Sequence, residues 1–314
     1  MADSAICVVV PARDEAQVIG RCLAALVREK QDGTIDRIVV VDNNSTDETI
    51  NIARRFTDEV LQVDGAVSAV RNAGAAIAGT PFLAFVDADV VVEPGWGREV
   101  HAVIGRASAA DRDRLVFGAT CAVPADANWI AHSWFRSLAS RTRQDYVNSG
   151  NLILSKALFD TIGGFDETLT SGEDVDLCRR ARLAGGTVAV TPDMAAVHLE
   201  YPTTLRAFFA RERWHGRNML DNFSSPLQDK ALLFAMLHIV LLMAASVLAW
   251  SHGLPGLLLT AVGYIVILAV LVAGKVGRCP PREFTRLAVL YSIYGFARAL
   301  ALGESVISRL RRGV

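Results

Sequence analysis

The chain lacks any paired cysteine spacing: its five cysteines stand at 7, 22, 121, 178 and 279, with no Cys-x-x-Cys among them. Thiolate metal sites drop out, and an odd, scattered count suits a reducing compartment. After a first apolar run at 6–10 there is no Gly-x-Gly-x-x-Gly. Pro11-Ala12-Arg13-Asp14-Glu15 stands there instead, which excludes a dinucleotide-binding turn and hydride transfer with it. A Gly-Lys-Ser/Thr phosphate loop is also missing, so phosphates must be met by a metal ion or by cationic side chains such as Arg71. The N-terminus has no basic region and its apolar run breaks at Pro11, so it reads as a first strand and not as a signal peptide. Residues 231–274 contain no Asp, Glu, Lys or Arg at all.

Charge is present but divided. Of 32 Lys/Arg and 33 Asp/Glu, nine basic and only two acidic residues fall in 230–314. The first 229 residues are therefore acidic on balance and the tail basic and apolar, a division that argues against a nucleic-acid partner and for a membrane surface.

Strand-type runs at 6–10, 37–41, 59–63 and 82–86 alternate with segments of helical spacing. These include one opened by a capping-box pattern at Ser45 and Glu48, and another over 66–78. The alternation predicts an α/β architecture: an open, mostly parallel sheet flanked by helices on both faces. Ligands bind such sheets beyond the carboxyl ends of the strands. Three of those ends carry Arg13/Asp14/Glu15, Asp42 and Asp87/Asp89, which predicts one shared crevice.

Asp87-Ala88-Asp89 closes the fourth run, and i, i+2 spacing in extended chain puts both carboxylates on one face. Two like charges there gain nothing without a cation between them. Mg²⁺ or Mn²⁺ fits, since a hard ion takes one or two carboxylates and leaves positions for water and phosphate. A lone Asp-x-Asp is more often a solvated turn, and the rest of the chain is what favours the metal. Further on, Ser171 to Asp174 repeats the capping-box form, and Glu173, Asp174 and Asp176 put three carboxylates within four positions. That exceeds what helix capping needs, and one of them is a candidate to take a proton from a substrate hydroxyl. His198 is either structural or a ligand. An arginine- and aromatic-rich helix is expected over 204–221.

Two apolar stretches, about 231–250 and 256–274, are each long enough to span a bilayer and form a hairpin. Basic flanks at Lys230, Lys275, Arg278, Arg282 and Arg286 predict a multi-pass protein of the inner (cytoplasmic) membrane with its globular part in the cytoplasm. A third stretch, about 286–304, is interrupted by Arg298 and followed by Glu304. It is expected to lie along the interface, with a third span as the alternative. The domain division is thus 1–229 and 230–314.

Taken in order, Pro-Ala-Arg-Asp-Glu, Val-Asp-Asn-Asn-Ser-Thr-Asp, Arg71-Asn72-x-Gly74, Asp87-Ala88-Asp89, Gly-Gly-Phe-Asp-Glu and Gly-Glu-Asp-Val-Asp-Leu form a recognisable series. Over roughly residues 5–220 the chain resembles the family 2 glycosyltransferases of GT-A fold. The resemblance implies metal-dependent, inverting transfer from a nucleotide-diphosphate sugar. Pro11, Arg13, Glu15, Asp42, Arg71 and Asp87 would bind the nucleotide. Asp89, with Asp87 and His198, would hold Mn²⁺ or Mg²⁺. Asp174 would be the general base, supported by Glu173. Gly164, Phe165, Asp176, Arg213 and Trp214 would fall in the acceptor or diphosphate region. Ala210 stands where processive members have Gln ahead of Arg213-Trp214, which favours transfer of a single sugar. A UDP-sugar donor is expected because Asp42 suits a base with an imide N–H. A membrane tail further implies a lipid-linked or other glycan acceptor of the kind used in cell-envelope glycan synthesis. The rival is a membrane-tethered nucleotide-sugar-binding or scaffold protein without catalysis.

Overall fold

The structure, a computed structural model, describes residues 4–139, 146–169, 171–217, 230–277 and 279–312. The Arg278 flank and the end of the helix expected over 204–221 lie outside the described residues, as do the side chains of Lys230 and Lys275.

In chain order the elements are β1 (Ile6–Ala12), α1 (Ile19–Gln31), β2 (Arg37–Asp42), α2 (Thr49–Ala53), β3 (Val60–Gln62), α3 (Val67–Ala76), β4 (Phe82–Val86) and β5 (Val90–Val92). There follow α4 (Trp96–Arg106), α5 (Ala109–Arg112), β6 (Leu115–Gly118), α6 (Trp129–Ala139), β7 (Asn151–Ser155), α7 (Lys156–Thr161), α8 (Glu173–Leu183), β8 (Thr187–Val190) and β9 (Ala196–His198). The chain closes with α9 (Leu205–His215), α10 (Lys230–His252), α11 (Leu254–Val276) and α12 (Pro281–Arg312). They divide into two compact units: residues 1–125 with 139–200, and 126–138 with 201–314.

The first unit is built on a seven-stranded sheet of order β3-β2-β1-β4-β7-β6-β8. All pairings are parallel except those of β7, which runs antiparallel to both β4 and β6. The mostly parallel α/β sheet is as the alternation predicts. Both faces are covered, and strand periodicity sorts the side chains between two cores. Val8, Val10, Ile38 and Val40 point to the one that takes Leu23 and Leu26 of α1 and Trp96 and Val100 of α4. Cys7, Val9, Val39 and Val41 point to the other, with Val70 of α3 and Leu177 of α8. This two-sided burial is why β1, β2 and β4 read as unbroken apolar runs. A short antiparallel ladder, β5 with β9, pairs Val90 with His198.

Two local expectations fail. The Ser45/Glu48 capping box does not form: the Ser45 hydroxyl accepts from the Asp14 backbone N–H, and Asp47 accepts from the Thr49 N–H at the start of α2. Nor does Ser171 cap α8, which begins at Glu173 behind Gly172, at φ 76°. In the first case tertiary partners outbid the local pattern. The loop after β1 grips the loop after β2, as Asp14 Oδ1 also accepts from the Thr46 N–H. Asp14 and Asn44 both sit at positive φ there, a conformation their short polar side chains tolerate.

In the second unit, α10, α11 and α12 are each long and apolar enough to cross a membrane by length and composition. Met243, Val247, Trp250, Leu258 and Val262 leave large apolar side chains uncovered along α10 and α11. The stretch expected over 286–304 belongs to one continuous helix of 32 residues. Two of its charged residues are paired with α9: Arg298 with Glu212 at 3.0 Å, and Glu304 with Arg213.

Candidate active site

The ends of β1 and β4, the residue following β2, and one face of α3 enclose a cavity of about 310 Å³. Of the residues singled out from sequence, Pro11, Arg13, Glu15, Arg71, Asp87, Asp89 and His198 line it. The β5–β9 ladder carries His198 Nε2 to 3.2 Å from Asp89 Oδ2. Asp42 does not line the cavity but its neighbour Asn43 does. Asp42 is fully buried; Oδ2 accepts from the Ser45 N–H at 3.0 Å, while Oδ1 has no hydrogen-bond partner.

Arg71 is the hub. It is buried on α3, its Nη2 lying 2.7 Å from Asp87 Oδ1 and its Nη1 2.8 Å from Glu173 Oε1. Glu173 also accepts from the Ser149 hydroxyl. One guanidinium thus ties the strand end to the first turn of α8. Asp174 lies next along that turn, buried, with the Val175 N–H on its Oδ1. Asp176 is turned to Arg179 and Arg180 on its own helix. Phe165 lies buried under Arg71, its ring centroid 5.5 Å from the guanidinium carbon, and Gly164 precedes it at φ 71°. Arg213 and Trp214 belong to the other compact unit, where Trp214 is partly exposed on α9.

The electrostatics follow from crowding acids into a partly dry crevice. Burial, then the Asp87, Glu15 and Glu200 carboxylates, push Asp89 up to about 8. Burial, then Glu200 and Asp87, push Glu15 up to about 7. Burial and the adjacent Glu173 raise Asp174 to about 7, against the pull of Arg71. Among the described residues no three His, Cys, Asp or Glu side chains form a ready cage for a metal ion. The donor set still fits one: Asp89 and His198 are adjacent, the surrounding carboxylates are in excess, and Mg²⁺ or Mn²⁺ accepts few protein ligands.

Sequence reasoning gave no role to Asn43, Asn72, Gly150 or Glu200. Gly150 leaves room for the acid beside it, as a Cβ there would come within 2.8 Å of Asp87 Oδ2. A glycine in the Asn-Ser-Gly-Asn turn before β7 was the available signal. Glu200 approaches only through the tertiary fold, and nothing local marks it.

Comparison with known proteins agrees with this architecture. The model of Glycosyl transferase family 2 matches residues 7–152, and that of Glycosyl transferase family group 2 matches residues 98–297. The chain is 29% identical over 226 residues to the Pre-mycofactocin glycosyltransferase of Mycobacterium tuberculosis, covering 67% of this chain and 46% of that one. It is 26% identical over 205 residues to Glycosyltransferase AglE of Haloferax volcanii, covering 63% of this chain and 67% of that one. The chain thus spans about half the length of the first of these relatives. In fold it is similar to the mannosyltransferase of Pyrobaculum calidifontis solved with GDP-Man and Mn²⁺, at TM-score 0.57 and 18% identity over 93% of this chain and 86% of that one. With sheet order, strand-end carboxylates and family matches in accord, the chain belongs to the family 2 glycosyltransferases.

Proposed function

We propose that the protein transfers one sugar, with inversion, from a nucleotide-diphosphate sugar to a hydroxyl or phosphate of a lipid-linked acceptor at the cytoplasmic face of a membrane. The observation that carries this reading is one shared cavity lined by Glu15, Arg71, Asp87, Asp89 and His198, joined through Arg71 to the Glu173–Asp174 pair. The expectation of a base that presents an imide N–H, as uracil does, rests on the sequence position of Asp42; in the structure Asp42 is buried and its neighbour Asn43 lines the cavity. UDP-sugars are the favoured donors. Arg13 and Pro11 line the nucleotide end.

Asp89, with Asp87 and His198, would hold a divalent ion, whose chemistry when bound is to stabilise charge on the diphosphate oxygens. The acceptor oxygen attacks the anomeric carbon opposite the diphosphate. The carbon–oxygen bond to the diphosphate breaks with its electron pair, and the acceptor proton goes to Asp174. A base raised to about 7 is matched to that task near neutral pH. Glu173, paired with Arg71, orients the first turn of α8.

The uncovered apolar surfaces of α10 and α11 support a bilayer anchor, and an acceptor embedded in lipid gives that anchor a purpose. We read the 286–304 stretch of α12 as lying along the cytoplasmic interface, because Arg298 and Glu304 pair with the polar helix α9. Calorimetry of the detergent-solubilised chain against a panel of nucleotide sugars tests the donor assignment. A UDP-sugar is expected to bind, more tightly with Mn²⁺ in the wild type and without that gain in Asp89→Asn. Failure of every nucleotide sugar to bind would overturn the reading.

A further inference from the structure

Three neighbouring residues of α3 face three different tasks. Gly74 lies flat on the sheet: a Cβ there would sit 2.4 Å from Val9 Cγ1 and 2.9 Å from Val41 Cγ2. Arg71 bridges Asp87 and Glu173. Asn72, between them, spends its amide on the Gly-Gly-Phe-Asp-Glu loop. Its Oδ1 accepts from the Phe165 N–H at 2.9 Å, and its Nδ2 donates to the Phe165 carbonyl at 2.9 Å and to Glu167 Oε1 at 2.8 Å. The loop is shaped for this contact, since a Cβ on Gly164 would come 2.7 Å from Asn72 Oδ1. Phe165, gripped by both main-chain groups, stacks edge-on against Phe85 of β4 at 5.0 Å and lies against the Arg71 guanidinium. Arg71 Nε is buried with no hydrogen-bond partner, so the guanidinium is held by its two carboxylates and by that ring.

We propose that Asn72 is a positioning residue for the transfer step: by clamping Phe165 against Arg71 it fixes the Asp87–Arg71–Glu173 strut that joins the donor-side carboxylate to the base-bearing turn of α8. This rests on the transferase reading above and adds a residue to it. Asn72 does not itself line the cavity, and its hydrogen bonds go to Phe165 and Glu167 rather than to either carboxylate of the strut. Its influence runs through Phe165, and a shift of about 1 Å at the strut is enough to cost on the order of a hundredfold in rate.

The test compares Asn72→Ala, Asn72→Asp and the double variant Asn72→Asp/Glu167→Gln in the full chain. Folded fraction is followed by thermal melting, and the pH profile of kcat is measured with a nucleotide sugar. Glu173 and Arg71 are the charged groups that act on Asp174. If Arg71 drifts from the turn, Asp174 loses its nearby cation and the acidic limb of kcat moves to higher pH. Asn72→Ala is expected to lower kcat about ten- to hundredfold with that limb raised. Asn72→Asp is expected to do the same. The double variant restores only the bond to position 167 and leaves the Phe165 carbonyl facing a carboxylate, so it is expected to stay as impaired as Asn72→Asp; full recovery would overturn the clamp on Phe165. A wild-type profile for Asn72→Ala, or a loss of kcat in proportion to lost folded protein with the limb unmoved, would overturn the proposal. Full activity of Asp174→Asn would instead overturn the base assignment beneath it.

Discussion

Asp89 and Glu15 are acids that the fold makes harder to ionise, and this has a measurable sign. In the unfolded chain they release their protons at about pH 4. In the folded chain Asp89 does so only at about 8 and Glu15 at about 7. Between those limits the folded state holds more protons, so stability is greatest at the acid end and falls as pH rises through the window. The metal-free protein should therefore melt at a higher temperature at pH 5 than at pH 8. Mn²⁺ should restore the loss at pH 8 and do little at pH 5. A melting temperature that rises with pH and ignores Mn²⁺ would contradict the placement of a cation among these carboxylates. The same crowding explains why Asp87 pairs with Arg71 while Asp89 turns to His198.

At the scale of elements, the sequence was most legible where burial is two-sided. The apolar runs of β1, β2 and β4 marked their own positions, and the acids at their ends followed from strand geometry. The direction of β7 was not legible, because a run such as Asn151–Ser155 carries the same apolar pattern read either way. The three-residue ladder of β5 and β9 is too short for periodicity to reveal, yet it sets His198 beside Asp89. The two capping boxes misled for different reasons. Ser45 found a better partner in the loop after β1, and Gly172 rather than Ser171 turned the chain into α8. In helix α12, Arg298 and Glu304 interrupt the apolar pattern and are paired with α9, while the helix as a whole keeps the length and composition of a span. With 32 residues at about 1.5 Å each, α12 is long enough either to span a bilayer or to lie along its surface. A cysteine introduced at Ser308, exposed near its end, should react with an impermeant maleimide only from the side that carries the catalytic unit. Reaction from the opposite side alone would make α12 a third span.

At the scale of the whole molecule, an acidic α/β unit and a basic, apolar helical unit share one chain. That combination is what the proposed transfer from a water-soluble donor to a bilayer-held acceptor calls for. Composition alone pointed this way, since 231–274 carries no charge and the tail is strongly basic. Sugar and acceptor identity reside in contacts that neither strand ends nor apolar runs encode. The most direct test is the initial rate of nucleoside diphosphate release from UDP-sugars in the presence of membrane lipid acceptors, for wild type and Asp174→Asn side by side. The account predicts release by the wild type and a rate about 10²- to 10⁴-fold lower for Asp174→Asn, with UDP binding unchanged. Equal rates for the two proteins would contradict it.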